Sequence, residues 1–453
     1  MTSELELAPR ARIVCVCSDE KALAELTTSF RAAGYLLQSA DVATHADLAL
    51  VDLRGRKKIA GKKAVAIANL LRRKSPECSL FFIVDPDLGS PARSALKRHG
   101  EIVCMTDAAG PLIERCRNMI RLRNIAEETG ERLKSLAALC RLVEFPSIAT
   151  SDTRPHVLIA GHPGGPALSV INAINQIAEQ SICVLSVGQT MRALEHGSFD
   201  CAIFLPADEN DPLFSLARAL RRHPQHSTLP IIHVADDPSL AALYASKGAR
   251  EFALSAHIPD DLAGKVQLLT RRARLTRTMR DFLQACTGDG VRDAPSGAFT
   301  PTFLAEHGAR LCARADQMSR PMSAVIIQLS VDKKNAENVE PGRRALHQAT
   351  RLINRVTRAE DMVARIAPHT FLILMPSTNE TAAADVALRI EGVLESTVFR
   401  GAKDSEFFPV RAQTAACVRT QGLCIEEMLA LALRRLRQAA AENAKQPRQQ
   451  FPK

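Results

Sequence analysis

The chain has 453 residues, a net charge of +10 and a hydrophobic content of 46%, which allows about three packed domains at the usual domain size. No apolar run reaches the length of about 18 residues that a membrane span needs, and the opening MTSELELAPR carries no apolar signal region, so the reading is a cytoplasmic protein without a span. The positive charge would permit contact with nucleic acid or an acidic membrane. An aromatic content of 4% and the lack of any nucleic-acid-binding motif argue against it, so Arg271, Arg272, Arg274, Arg277 and Arg280 are read as a solvated helix face, with no nucleic acid expected.

Residues 11–140 alternate strand and helix in a doubly wound pattern. The spacing predicts strand Arg12–Cys17, helix Glu20–Gly34, buried strand Leu48–Val51 ending at Asp52, helix Ala64–Arg73, strand Leu80–Val84, helix Pro91–His99 and strand Ile102–Met105. A long helix then runs from Pro111 toward Cys140, with Thr129-Gly130 as a break point. Its length predicts packing on a neighbouring domain or subunit. The arrangement resembles a receiver (response-regulator) domain, and Asp52 falls where that family carries its phosphoacceptor. The rest of the site departs from the family pattern: the acidic-pair positions read Cys17-Ser18, with Asp19 and Glu20 displaced along the chain, strand four ends at Val84, and Thr106-Asp107 follow the last strand without a Lys. Phosphoacceptor and incidental strand-end carboxylate both stay open for Asp52.

A linker rich in Ser, Thr and Pro, Phe145–Pro155, leads to residues 156–287, where the pattern repeats. Strands are predicted at His156–Ala160, Cys201–Phe204, Pro230–Val234 and Glu251–Leu254, with helices at Ala167–Ala178, Leu213–Arg222, Ser239–Lys247 and from Pro259. This second receiver-like domain has Leu205 at the acceptor position, Gly161-His162 at the acidic pair and Ala256-His257 at the Lys position, so receiver phosphorylation chemistry is not expected of it. Gly161-His-Pro-Gly-Gly-Pro166 lacks both the Lys-Ser/Thr of a P-loop and the G-x-G-x-x-G spacing, which makes it a turn. His223 and His226 flank Pro224 in a loop, and His162 and His233 add no metal-ligand spacing. The 12 cysteines stand singly, with no C-x-x-C pair, and are read as buried thiols.

Residues 293–445 carry a different pattern. Strand Ala324–Ser330 precedes a helix marked by Leu346, Ala349, Leu352, Ile353 and Val356; then come the turn Arg358-Ala-Glu-Asp361, strand Met362–Ile366, the connection Ala367–Thr370, strand Phe371–Met375 and helix Thr381–Leu394. The segment resembles the signature hairpin of GGDEF domains (diguanylate cyclases), whose turn reads Gly-Gly-Asp/Glu-Glu-Phe and whose inhibitory Arg-x-x-Asp lies just upstream. Here the turn reads Ala367-Pro368-His369-Thr370-Phe371, whereas Arg358 and Asp361 are kept. Asp293 and Gly297 also match the family's opening motif, with Thr300 in place of Asn. Cyclic di-GMP synthesis requires divalent metals on carboxylates. The family's metal-binding Asp positions on the first strand hold Gln328 and Ser330, the guanine-contacting positions hold Ala336 and Glu340, and a phosphate-binding Lys is replaced by Ala440. The resemblance therefore implies no catalytic residues, no metal and no cyclase activity, while Arg358 and Asp361 retain the means to bind cyclic di-GMP, with Arg389 as a helper and Glu391 where some relatives have Arg. An Arg fork reads the O6/N7 edge of guanine and a carboxylate accepts from N1 and N2.

The expected fold class is α/β: two flavodoxin-like doubly wound receiver domains (11–140 and 156–287) followed by an α+β GGDEF-like, nucleotidyl-cyclase-like domain (293–445). This architecture resembles receiver–receiver–GGDEF cell-cycle proteins of alphaproteobacteria. For a member with a lost active site the resemblance implies a homodimeric cyclic di-GMP effector, recruited to a cell pole, that brings an RcdA-like adaptor and a CtrA-like substrate to the ClpXP protease. By analogy the dimer would use residues 111–140 and 259–286. Two other readings stand beside it: a phosphorylation-gated receiver scaffold with an inert third domain, and residual nucleotide turnover, for which His369 is the unusual residue in the turn.

Overall fold

In the computed structural model of the protein, residues 11–39, 46–55, 62–75, 78–85, 88–104, 109–139, 153–223, 225–285, 290–294, 296–331, 340–400 and 407–445 are described. The Phe145–Pro155 linker falls largely outside them, as do Cys140, Pro224, Thr106, Asp107 and Ala336. By internal contacts the chain divides into two compact units, one formed by Ala11–Arg123 with Pro146–Met279 and the other by Asn124–Phe145 with Arg280–Lys453.

The first unit holds two parallel sheets of five strands with the same order. In the first, β1 (Arg12–Val16), β2 (Leu36–Ser39), β3 (Leu48–Asp52), β4 (Ser79–Val84) and β5 (Glu101–Cys104) line up as β2-β1-β3-β4-β5, the flavodoxin-like order. Helices α1 (Glu20–Ala32), α2 (Lys62–Lys74) and α3 (Ser90–Lys97) alternate with them, and α4 (Gly110–Ala138) follows. Because successive strand residues point to opposite faces, Ile13, Cys15, Leu48, Leu50, Phe81 and Ile83 pack on α1 and α4, while Val14, Ala49, Val51, Phe82 and Val84 pack on α2 and α3.

The second sheet orders β6 (His156–Gly161), β7 (Gln180–Val184), β8 (Cys201–Leu205), β9 (Ile231–Ala235) and β10 (Glu251–Leu254) as β10-β9-β8-β6-β7, with α5 (Gly165–Asn175), α6 (Val187–His196), α7 (Leu213–Arg222) and α8 (Pro238–Ser246) between strands. A π-helical turn, Ile258–Leu262, leads into α9 (Ala263–Ala285). Sequence periodicity did not predict β2, β7 or α6. Both missed strands are sheet edges, and most of their residues are only partly buried, so no apolar run marks them. A second departure concerns α4, which passes through Thr129-Gly130 without a break: a Cβ on Gly130 would meet nothing within 4 Å, and Thr129 Oγ1 donates to Ile125 O at 2.7 Å.

Ion pairs run between the elements of the two doubly wound domains, with Lys265 adding a second cation to Glu251 from within its own domain. Arg93 and Lys97 reach Asp261, Arg115 and Lys265 reach Glu251 (the latter at 3.5 Å), and Arg272 reaches Glu101. These pairs border a cavity of ≈ 410 Å³ whose apolar lining includes Ile102, Val103, Phe252, Leu254 and Leu268. Arg115, Asp261, Lys265 and Arg272, which lie in the two segments named for a dimer interface, are thus paired within one chain.

The second unit is built on an antiparallel sheet, β12-β13-β11-β16, from β11 (Met322–Val331), β12 (Met362–Ala367), β13 (Thr370–Pro376) and β16 (Val410–Val418). One face, with Val325, Ile327, Leu329 and Val331, packs on α11 (Glu340–Val356) and α12 (Glu380–Glu395) through Leu346, Ile353, Val386 and Ile390. The fold is completed by α10 (Pro301–Met318), the short pair β14 (Phe399–Arg400) and β15 (Phe407–Phe408), and α13 (Ile425–Lys445). The C-terminal half of α4 belongs to this unit: Glu127 pairs with Arg320 at 2.6 Å, and Arg132 Nη1 donates to Leu283 O at 3.1 Å.

Candidate functional site

Hairpin β12–β13 has a two-residue turn, Pro368-His369, with Ala367 paired to Thr370, so each strand extends one residue further than the sequence suggested. Its geometry is fixed by Arg365. Arg365 Nη2 donates to Pro368 O at 3.0 Å, and Nη1 to Asp293 Oδ2 at 2.8 Å. Asp293 also accepts from Ser296 N at 3.1 Å, and Gly297 adopts φ +69° so that its N–H can reach Asp293 O at 2.8 Å. Although burial works against it, Ser296 and Arg365 hold the Asp293 carboxyl below its ordinary range. The two kept residues of the opening motif are therefore structural, tying the loop before α10 to the hairpin, and Thr300 caps α10 by accepting from Phe303 N at 3.3 Å.

Gln328 and Ser330 are exposed on β11, which lies beside the turn because Leu329 N donates to His369 O at 2.8 Å. Their neighbours on β16 are Gln413 and Arg411. An amide, a hydroxyl, an imidazole and a guanidinium therefore stand where a hard cation would need carboxylates. Among the described residues no group of three or more His, Cys, Asp or Glu is arranged to hold a metal ion. Glu340 begins α11 and Ala440 is exposed on α13.

Arg358 and Asp361 form a closed turn between α11 and β12. Asp361 N donates to Arg358 O at 3.2 Å, and Arg358 N to Asp361 Oδ2 at 3.0 Å. The Arg358 side chain is exposed, whereas Asp361 is 6% exposed and its Oδ1 has no hydrogen-bond partner. Burial, and then the neighbouring Glu360, push the Asp361 carboxyl up to about 7. Glu360 itself is 4% exposed with an unpartnered Oε2. Sequence reasoning paired the two side chains as one recognition fork; what joins them is the turn's own backbone, because a carboxylate three residues on is well placed to cap it. Arg389 Nη2 donates to Val356 O at 3.1 Å, which brings it beside this turn. Glu391 instead accepts from Thr414 N at 3.0 Å and Oγ1 at 2.7 Å.

Two buried residues near Asp361 were not singled out from the sequence. Glu360 could have been, since it lies inside the tetrapeptide. Glu128 on α4 carries no local signal: its Oε1 accepts from Arg132 Nε at 3.0 Å and contacts His307 Nε2 at 2.9 Å, while His307 Nδ1 lies 3.0 Å from Ser135 Oγ.

Asp52 ends β3 and is 8% exposed. Arg54 grips it with two nitrogens, Nε to Oδ1 at 3.0 Å and Nη2 to Oδ2 at 2.7 Å, and its backbone N donates to Oδ1 at 3.1 Å. The displaced acid Asp19 caps α1 by accepting from Lys21 N at 2.9 Å. In the second sheet, Gly161 stands at φ +131°, and a Cβ there would lie 2.2 Å from Leu205 O, so the glycine serves the close approach of β6 and β8. His223 and His226 follow α7 with their rings stacked at 4.9 Å.

A sequence model described as "Diguanylate cyclase, GGDEF domain" matches residues 305–446. No curated protein matches the chain. Solved structures similar to parts of it include the GGDEF domain of DgcB from Caulobacter crescentus in complex with c-di-GMP (15% identity, 35% of this chain and 91% of that one, TM-score 0.32). The GGDEF domain of FimX from Pseudomonas aeruginosa is another (14% identity, 34% and 94%, TM-score 0.30). A third is the diguanylate cyclase SiaD of Pseudomonas aeruginosa in complex with its activator SiaC (18% identity, 62% and 89%, TM-score 0.32). Residues 305–446 of this protein are a GGDEF domain.

Proposed function

We propose that this GGDEF domain is a receptor for cyclic di-GMP that has given up synthesis. The observation that carries the reading is the placement of Gln328 and Ser330 beside a Pro368-His369 turn, which leaves the described residues of this edge without carboxylates, while Arg358 and Asp361 persist one strand away. In this reading Arg358 and Arg389 meet the O6/N7 edges or the phosphates, and Asp361 accepts from guanine N1 and N2. No metal takes part. Calorimetric titration with cyclic di-GMP tests it: micromolar or tighter binding is expected, weakened at least tenfold in Arg358→Ala, with no GTP turnover in the same preparation. Absence of binding, or GTP-dependent product formation, overturns it.

On this proposal residues 11–140, 156–287 and 293–445 act as three domains of a signalling effector, and the two doubly wound domains are receivers. The proteolysis-adaptor role, with RcdA-like, CtrA-like and ClpXP partners, polar recruitment and a homodimer, belongs to the same proposal and is tested by pull-down with and without cyclic di-GMP. Asp52 takes the lesser part. Its carboxylate is already held by the Arg54 fork, and phosphorylation would have to break that grip. Acetyl phosphate labelling abolished by Asp52→Asn, together with full activity of Arg358→Ala, would instead favour the phosphorylation-gated scaffold.

A further inference from the structure

Three carboxylates are buried at the Arg358–Asp361 turn and in the cavity that Glu360 lines with Glu128. Asp361 is 6% exposed, Glu360 4% and Glu128 3%, and each retains one oxygen (Oδ1, Oε2 and Oε2) with no hydrogen-bond partner. Glu128 and Glu360 line the same small cavity, with Arg314 and Arg320 on its rim. A buried carboxylate is costly unless paired, and like charges in low dielectric raise one another's proton affinity. The charges are not evenly matched. Glu128 is held ionised by Arg132 and His307, which keep its carboxyl below the ordinary range despite burial. Among the described residues, Asp361 is favoured as an anion by its bond from Arg358 N and by the exposed Arg358 side chain, while Glu360 and Glu128 act against its charge. Glu127, which pairs with Arg320 and Arg314, and Glu131, which pairs with Lys134 at 2.8 Å, are the other carboxylates of α4 that line this cavity.

We propose that Glu128, on helix α4, is a positioning residue of the guanine site: through this carboxylate cluster it sets the fraction of Asp361 that is ionised, and with it ligand affinity. The inference rests on the proposed function. A guanine base donates two N–H groups and is held best by the carboxylate, so binding and Asp361 deprotonation are linked. Helix α4 thereby has a means of tuning the site without touching ligand.

Cyclic di-GMP calorimetry from pH 5.5 to 8.5 on the full chain tests this, with Glu128→Gln beside wild type. Affinity is expected to rise up to about tenfold per pH unit below about 7 and then to level off. The amide introduced by Glu128→Gln keeps an acceptor for Arg132 and His307 but carries no charge, so this variant should displace the rise to lower pH and bind roughly threefold or more tighter at pH 6. A parallel titration of the Asp carboxyl ¹³C signals in the ligand-free proteins, with Asp361 assigned by Asp361→Asn, separates the two readings. If nothing binds but the Asp361 titration still moves in Glu128→Gln, the receptor reading fails while the coupling stands. If wild type binds and neither the profile nor the Asp361 titration moves in Glu128→Gln, the coupling is wrong.

Discussion

At the scale of single residues, two buried titratable groups contribute to the pH response in opposite senses. Asp361, pushed up to about 7 by burial and then by Glu360, binds a proton in the folded protein that it would release when unfolded above about pH 4. Stability is therefore lost as pH rises from about 4 through about 7. Asp361→Asn keeps the acceptor for Arg358 N and removes the charge, so urea unfolding at pH 8 should show a gain on the order of 2 kcal/mol while cyclic di-GMP binding falls. A stability gain at the cost of binding is the expected mark of a functional carboxylate. His233 works in the opposite sense. It is fully buried, stacked on Phe214 at 5.4 Å, and pushed down to about 3, chiefly by burial and then by Arg221. The folded protein resists its protonation, so stability declines as pH falls from about 6.5 toward 3. His233→Leu should remove part of that acid lability, on the order of 3 kcal/mol at pH 4, seen as a shallower decline of the unfolding midpoint with pH.

At the scale of elements, α4 is a 29-residue helix with a glycine in its middle. A Cβ at Gly130 would meet nothing within 4 Å, so Gly130→Ala should stabilise by about 0.5–1 kcal/mol through reduced unfolded-state freedom. A loss of stability in that variant would mean that the helix needs to bend there. The hairpin depends on Arg365 in another way. Its guanidinium bridges Asp293 and Pro368 O, so Arg365→Ala should loosen the turn and cost about 1–3 kcal/mol, mostly by leaving Asp293 with Ser296 but without its cation. Proteolysis of the hairpin would report the loosening.

At the scale of the molecule, the unit that contains both parallel sheets joins them by charged pairs that are largely desolvated. Arg115 and Glu251 have side chains 9% and 12% exposed, and Arg115 with Lys265 holds the Glu251 carboxyl below its ordinary range in spite of burial. Arg115→Ala would strand Glu251 with one cation at 3.5 Å, a loss of about 3 kcal/mol. Calorimetry should then resolve separate transitions for the two doubly wound domains in place of a joint one.

Apolar patterns and turn residues revealed the doubly wound repeats, the hairpin and the buried strands Leu48–Val51 and Cys201–Phe204, each of which runs one residue further in the structure. The uncharged side chains of Gln328 and Ser330 and the Pro368-His369 turn were equally legible, since they are a matter of residue identity. The edge strands β2 and β7 were not, because half-buried edges carry weak periodicity. Only tertiary structure decided that Asp361 is buried while Arg358 is exposed, that Arg54 holds Asp52, and that Glu128 on α4 lines the same cavity as Glu360. Burial, charge neighbours and the partner of an orphaned oxygen depend on residues hundreds of positions away, and no local window of sequence contains them.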